Sequence, residues 1–190
     1  MLKRDFYARD AETVARDLLG CQLLVRTKNT LERTRIVETE AYVGEHDLAC
    51  HAAKGRTKRT ETMFGPAGHA YVYLIYGIYD LLNVVTGPTG EAQAVLIRAV
   101  EPVSDPLNEW AGELAGRTDG PGRLTKTLGI TRALNGTALF GPNVWLERGP
   151  APQTITVTPR IGVDYAGAWK DAPLRFFDAA SPHVSRRKPG

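Results

Sequence analysis

The run RIVETEAYVG (residues 35–44) holds two glutamates two positions apart, Glu38 and Glu40, with Tyr42 two positions further on. If the run is a strand, its side chains alternate between two faces. Val37, Thr39, Ala41 and Val43 then share a face suited to a core, and Ile36, Glu38, Glu40 and Tyr42 share the other. Two like charges beside an aromatic ring do not suit a solvated surface that also carries Ile36. They do suit a cleft in which a carboxylate orients or activates water against an aromatic wall. Strand alternation does not say which glutamate would act.

Other residue groups invite chemical readings. Tyr71, Tyr73, Tyr76 and Tyr79 crowd into nine positions, four of the seven tyrosines in the chain. A half-buried sheet surface accounts for part of that group. Tyr76 precedes Gly77 at a turn, where a large ring finds little core and reads as a wedge or stacking contact. His46, Asp47 and His51 look like metal ligands, but their spacing matches neither a helical His pair nor a Cys/His cluster, so no metal site is expected. The stretch DGPGRL (residues 119–124) could present amides to a phosphate, although a structural turn is the better reading. Lys54, Arg56, Lys58 and Arg59 form a basic run, and SRRKPG closes the chain with three more cations.

These groups need elements to hold them. Residues 10–20 form an expected helix, with Asp10 as its N-cap, an apolar stripe of Ala11, Val14, Ala15 and Leu18, and Gly20 as its stop. Residues 21–27 and 33–43 read as a hairpin, and residues 69–76 with 81–87 as a second. Residues 92–103 give another apolar strand. Helices are expected around 106–114 and up to Gly129, followed by short strands in NVWLE, TITVTPRIGV and LRFFD. Residues 44–68 read as a long polar loop, which in a compact domain is functional or disordered. The tail from Ser181 is expected to be mobile. Strands outnumber helices without regular alternation, so the class is α+β in one domain spanning 1–190.

Composition sets the outer bounds. The 190 residues are 43% hydrophobic and 24% charged with net charge +3, which fits one globular domain and permits, without requiring, nucleic-acid binding. No apolar run approaches the roughly 18 residues of a membrane helix, and the first ten residues lack the apolar segment of a signal peptide. Cys21 and Cys50 have no disulfide or metal spacing. A cytosolic location with reduced thiols is expected.

Taken in order, RIVETEAYVG, His51, MFGPAGHAYVYLIYGIYDLLNV, VLIRAVEP, GPGRLTKTLGI, VWLERG, RIGV, PLRF and SPHVS resemble the alkyladenine (3-methyladenine, methylpurine) DNA glycosylase family, from about residue 10 to 185. The resemblance implies a curved, mostly antiparallel sheet flanked by helices, with a protruding β-hairpin, similar to the C-terminal domain of methionyl-tRNA formyltransferases. It implies a monofunctional, cofactor-free enzyme that acts as a monomer on double-stranded DNA carrying a damaged purine. Glu40 corresponds to the base that activates water, with Arg98 and the main-chain carbonyl of Ile161 as further water contacts. Tyr42, His51 and Tyr73 correspond to the residues that sandwich an extruded base. Asn83 corresponds to the residue that rejects the 2-amino group of guanine. Tyr76 corresponds to the intercalating tyrosine, with Met63 near a flanking methionine. The basic run at Lys54, Arg56, Lys58 and Arg59 would meet phosphates. Glu38 receives no family role and is left to pair with a cation such as Arg98 or to sit at the cleft rim. A non-catalytic nucleic-acid-binding module of the same fold is the competing reading.

Overall fold

The computed structural model describes residues 1–27, 30–103, 114 and 116–185. Helices α1 (Arg4–Tyr7) and α2 (Ala11–Leu18) precede strands β1 (Gln22–Arg26), β2 (Leu31–Tyr42), β3 (Ala70–Ile75), β4 (Tyr79–Thr86) and β5 (Gln93–Pro102). Helix α3 (Pro121–Thr127) then leads to β6 (Val144–Glu147), β7 (Ile155–Thr158) and β8 (Arg175–Asp178). The strands form one curled sheet in the order β3-β4-β5-β2-β1-β6, with β8 pairing both β2 and β7. Every pairing is antiparallel. No helix among the described residues is long and apolar enough to cross a membrane.

Helix α2 follows its sequence pattern closely. The Asp10 side chain accepts from the Thr13 amide, and Ala11, Val14, Ala15 and Leu18 are all buried. That stripe packs into the main core with β2 and β5, where the Thr39 hydroxyl donates to the Ala15 carbonyl at 2.9 Å. The expected helix over 106–114 falls almost wholly outside the described residues.

Three expectations need correction. The first concerns β2, which forms the centre of the sheet. Its pairing with β5 shifts register between Ile36 and Thr39. An extra residue in a strand re-aims the side chains on either side of it. Ile36 therefore joins the main core with Ala41, whereas Val37 joins a small cluster with Ala99, Phe177 and Val184 on the opposite side. Uniform alternation assigned both residues to the wrong face. The irregularity lets Ile36 reach the core while Glu38, Glu40 and Tyr42 stay together on the other side. The second concerns Glu38, which is fully buried and paired with Arg98, so the ion-pair alternative holds and the cleft-rim alternative does not.

The third concerns the tail. Ser181, Val184 and Ser185 are buried, so residues 181–185 are part of the packed structure. Val184 supplies an apolar anchor, and the Ser181 hydroxyl donates to Glu101 at 2.6 Å. Residues 44–68 are likewise more ordered than their polarity suggests. They hold two short 3-10 helices, His51–Lys54 and Glu61–Phe64, over a second apolar cluster that includes Cys50, Met63, Phe64 and Tyr71.

Candidate active site

A cavity of about 620 Å³ opens on the side of the sheet away from α2, lined by β2, β3, β4, β5 and the segments around residues 49–51, 120–123 and 161–165. Tyr42, His51, Met63, Tyr73, Tyr76, Asn83, Arg98 and Ile161 all line it. The structure thus gathers, around one space, residues spread over 120 positions of sequence.

Glu40 lies behind this lining with its side chain fully buried. Its Oε1 accepts the Ile161 amide at 2.7 Å and faces Arg98 Nη1 at 3.3 Å, and its Oε2 accepts the Tyr42 hydroxyl at 3.0 Å. A carboxylate offers about four acceptor positions. Two are taken by hydrogen bonds and the Arg98 ion pair faces a third, which leaves room for one further donor. Burial, followed by the neighbouring Glu40 charge, raises the Tyr42 hydroxyl well above its ordinary range, so it stays a neutral donor.

The Ile161 amide owes its place to a contact that sequence reasoning missed. Arg160 forms a two-pronged ion pair with Asp47, and both side chains are completely buried. Arg160 also donates to the Ala41 carbonyl at 2.9 Å and lies 4.8 Å from the centre of the Tyr42 ring. Asp47 in turn accepts from the amides of Val43 and Ala49. This one pair ties residues 43–49 to the segment after β7, just before Ile161, and backs Tyr42. Asp47 is therefore a structural counter-charge, and His46 packs edge-on against Trp169 instead of joining it in a ligand set.

The aromatic wall is built from β3 and the first 3-10 helix. His51 Nδ1 is 3.0 Å from the Tyr71 hydroxyl, and its ring meets Tyr73 edge-on with centroids 4.4 Å apart. Tyr71 and Tyr73 lie 5.3 Å apart at 34°. Burial, with Arg59 and Lys54 nearby, lowers the His51 pKa to about 4, so the imidazole is neutral near pH 7. Burial pushes the Tyr71 hydroxyl up to about 12 and raises Tyr73 further. Asn83 is oriented by donating its side-chain amide to the Tyr71 carbonyl at 3.1 Å.

Tyr76 sits in the three-residue connection between β3 and β4. Ile78 N–H closes onto the Ile75 carbonyl, and Tyr76 (φ 52°) and Gly77 (φ 72°) both adopt left-handed backbone. Glycine does so freely, but tyrosine does not. Tyr76 is the one described non-glycine residue in that region, and it is 84% exposed. Met63 differs sharply, at 2% exposure within the second apolar cluster. In this structure it is a packing residue of the cavity wall.

The basic run divides. Arg56 is paired with Glu61, and Arg59 lies 5.2 Å from the Tyr73 ring centre, while Lys54 and Lys58 are exposed. The DGPGRL stretch is mostly helix and not the expected turn: Asp119 and Gly120 precede α3, and Pro121, Gly122, Arg123 and Leu124 form its first turn. Gly122 lets that turn abut Tyr79, whose ring would lie 2.8 Å from any added Cβ.

Similar proteins place this geometry in context. A family model described as methylpurine-DNA glycosylase matches residues 5–182. Three relatives carry the name "Putative 3-methyladenine DNA glycosylase". The one from Myxococcus xanthus is 56% identical, over 99% of this chain and 95% of its own length. The one from Methanocella arvoryzae is 50% identical over 100% and 98%. The one from Legionella pneumophila strain Lens is 48% identical over 97% and 98%.

Proposed function

Because this chain belongs to the methylpurine-DNA glycosylase family and is a DNA N-glycosylase, we propose that it excises alkylated purines from duplex DNA by direct water attack, with Glu40 as the general base. The observation that carries the reading is Glu40 itself: a buried carboxylate behind an aromatic cavity, held by Ile161, Tyr42 and Arg98, with one acceptor position to spare.

The damaged base must first leave the stack, at a cost of a few kcal/mol that is lowest for damaged or mispaired bases. Tyr76, exposed on its strained turn, is suited to fill the gap that remains. The extruded purine enters between Tyr42 on one side and His51 with Tyr73 on the other. Such stacking is worth roughly 1–3 kcal/mol per base, and a cationic alkylpurine gains further from the electron-rich ring faces. Asn83 would bar the 2-amino group of an undamaged guanine.

Cleavage builds positive charge on the sugar, which a nearby carboxylate stabilises. A water oxygen bonds to C1′, the pair of electrons of the N-glycosidic bond departs with the base, and the water proton passes to Glu40. Arg98 and the Ile161 carbonyl are assigned as the water's other contacts. The product is a free base and an abasic site, with the strand intact. Arg98 is committed to carboxylates, His51 is neutral and the cavity tyrosines hold their protons tightly. None of these is poised to protonate a leaving base. That favours purines already charged by alkylation, 3-methyladenine and 7-methylguanine, over neutral hypoxanthine or ethenoadenine. Lys54 and Lys58 are suited to meet phosphates, Met63 to keep the cavity wall packed. One chain supplies every group, so action as a monomer is sufficient.

Glu40→Gln keeps the size and one acceptor oxygen, which can still meet the Ile161 amide, while removing the base. Single-turnover release from a duplex holding one 7-methylguanine should fall by roughly 10²–10⁴-fold, with duplex binding retained. Release at the rate of the unaltered protein would overturn the assignment.

A further inference from the structure

The second glutamate has a role in the same site. Glu38 is fully buried and accepts four hydrogen bonds. Its Oε1 takes Arg98 Nε at 3.0 Å, Arg175 Nε at 2.7 Å and the Ser185 hydroxyl at 2.9 Å, and its Oε2 takes the Ser185 amide at 2.7 Å. The Ser185 hydroxyl also accepts from Arg98 Nη2 at 3.3 Å, and the Ser185 carbonyl accepts from Arg175 at 3.3 Å. Glu38, Glu40, Arg98 and Arg175 balance as two negative and two positive charges. Ser185, in the segment that follows β8, closes the group.

Each nitrogen of Arg98 thus has its own partner: Nε has Glu38, Nη2 has Ser185 and Nη1 has Glu40. This division matters because a guanidinium facing a single carboxylate tends to close on it through two parallel hydrogen bonds. Closure of that kind on Glu40 would fill the acceptor position that a water needs. With Nε and Nη2 engaged elsewhere, Arg98 reaches Glu40 through Nη1 alone, at a longer 3.3 Å. We infer that Glu38 and Ser185 are positioning residues for base excision, which hold Arg98 in a one-pronged contact and keep the water position on Glu40 open. Residues 181–185 are then a strap that completes the active site from the end of the described chain. The inference rests on the assignment of Glu40 above.

The test uses the full chain and single-turnover release of 7-methylguanine, with duplex affinity measured on the same substrate in the Glu40→Gln background. Ser185→Ala removes the bridging hydroxyl and retains the amide that holds Glu38 Oε2. It should slow release about tenfold, and Glu38→Gln up to about a hundredfold, the scale expected when reacting groups move by about an ångström. Affinity should stay within about twofold and Ser185→Thr should restore the rate, whereas a merely structural loss would move affinity with rate and ignore the hydroxyl. In an Arg98→Ala background, Ser185→Ala should add nothing, because its effect is transmitted through Arg98. An unchanged rate for Ser185→Ala, or a full additional loss without Arg98, would overturn the inference. Should Glu38→Gln fail to fold, Ser185→Ala and Ser185→Thr decide the matter alone. A Glu40→Gln variant that stays active defeats the general-base assignment. An inactive Glu40→Gln beside a fully active Ser185→Ala defeats only the positioning role.

Discussion

Beneath the cavity, six charged side chains are sealed into two groups, Glu38 with Glu40, Arg98 and Arg175, and Asp47 with Arg160. Above it, between β3 and β4, Tyr76 is 84% exposed on left-handed backbone. The two regions are built on opposite terms. Below, every charge is fixed by partners within the chain, and burial makes loss of a partner costly. Above, the chain holds an aromatic ring in a strained conformation, with no hydrogen-bond or ring partner for its side chain among the described residues, as happens where function and not packing sets the geometry. On the proposed reading, the contrast separates the part of the site that must be pre-organised for chemistry from the part that would acquire its partner with DNA.

If that contrast is right, the largest stability effect lies below. Asp47→Ala leaves Arg160 buried and unpaired, removes two amide acceptors and frees the segment that backs Tyr42. Breaking a buried pair in this way should cost roughly 3–5 kcal/mol, which for a chain of this length lowers Tm by roughly 6–20 °C. Thermal unfolding monitored by circular dichroism measures it. A loss within about 2 °C would mean that the lower region is not held by its ion pairs.

The sequence made the local parts of this arrangement readable. Helix α2 has its cap and stripe within nine residues, and the strands announce themselves by alternation and by glycine at the turns. Glu40 and Tyr42 share a face because their two-residue spacing survives in the strand. What failed was non-local. The register shift at Val37 depends on how β2 meets β5, and nothing in residues 36–43 announces it. Asp47 and Arg160 are 113 positions apart, and Glu38 and Ser185 are 147 apart. Asp47, read with His46 and His51, looked like a metal ligand, and Ser185 like part of a mobile tail. Val184 was the available signal, since an apolar residue in a polar tail needs somewhere to go. The resemblance named residues for water, wall and wedge; its motifs RIGV, PLRF and SPHVS contain Arg160, Arg175 and Ser185, but it gave these, like Glu38, no role.

The upper region should respond in the opposite sense to the lower one. Tyr76→Gly relieves the left-handed strain and removes a ring that is 84% exposed, so stability should stay within about 1 kcal/mol of the unaltered protein. Release of 7-methylguanine from duplex DNA should fall at least about tenfold, because the few kcal/mol of unstacking lose their wedge. Release from a single strand, where no gap needs filling, should change much less. Equal losses on both substrates would show that Tyr76 serves the chemistry and not the extrusion.

The smallest effect tests where the two regions meet, at His51. Its pKa is lowered from 6.5 to about 4, chiefly by burial, with Arg59 and Lys54 adding to it. Between those pH values the unfolded chain binds a proton that the folded chain refuses. By linkage, stability is unaffected by this residue above about pH 6.5, falls as pH drops through the window and levels off below about pH 4. Buried and paired carboxylates add their own acid slope, so the His51 part is isolated by difference. His51→Gln cannot titrate, and its denaturant midpoint between pH 6.5 and 4 should decline less steeply than that of the unaltered protein. Identical slopes would mean that His51 charges freely in the folded state, which would make the aromatic wall a solvated surface and align it with the exposed turn instead of the sealed floor.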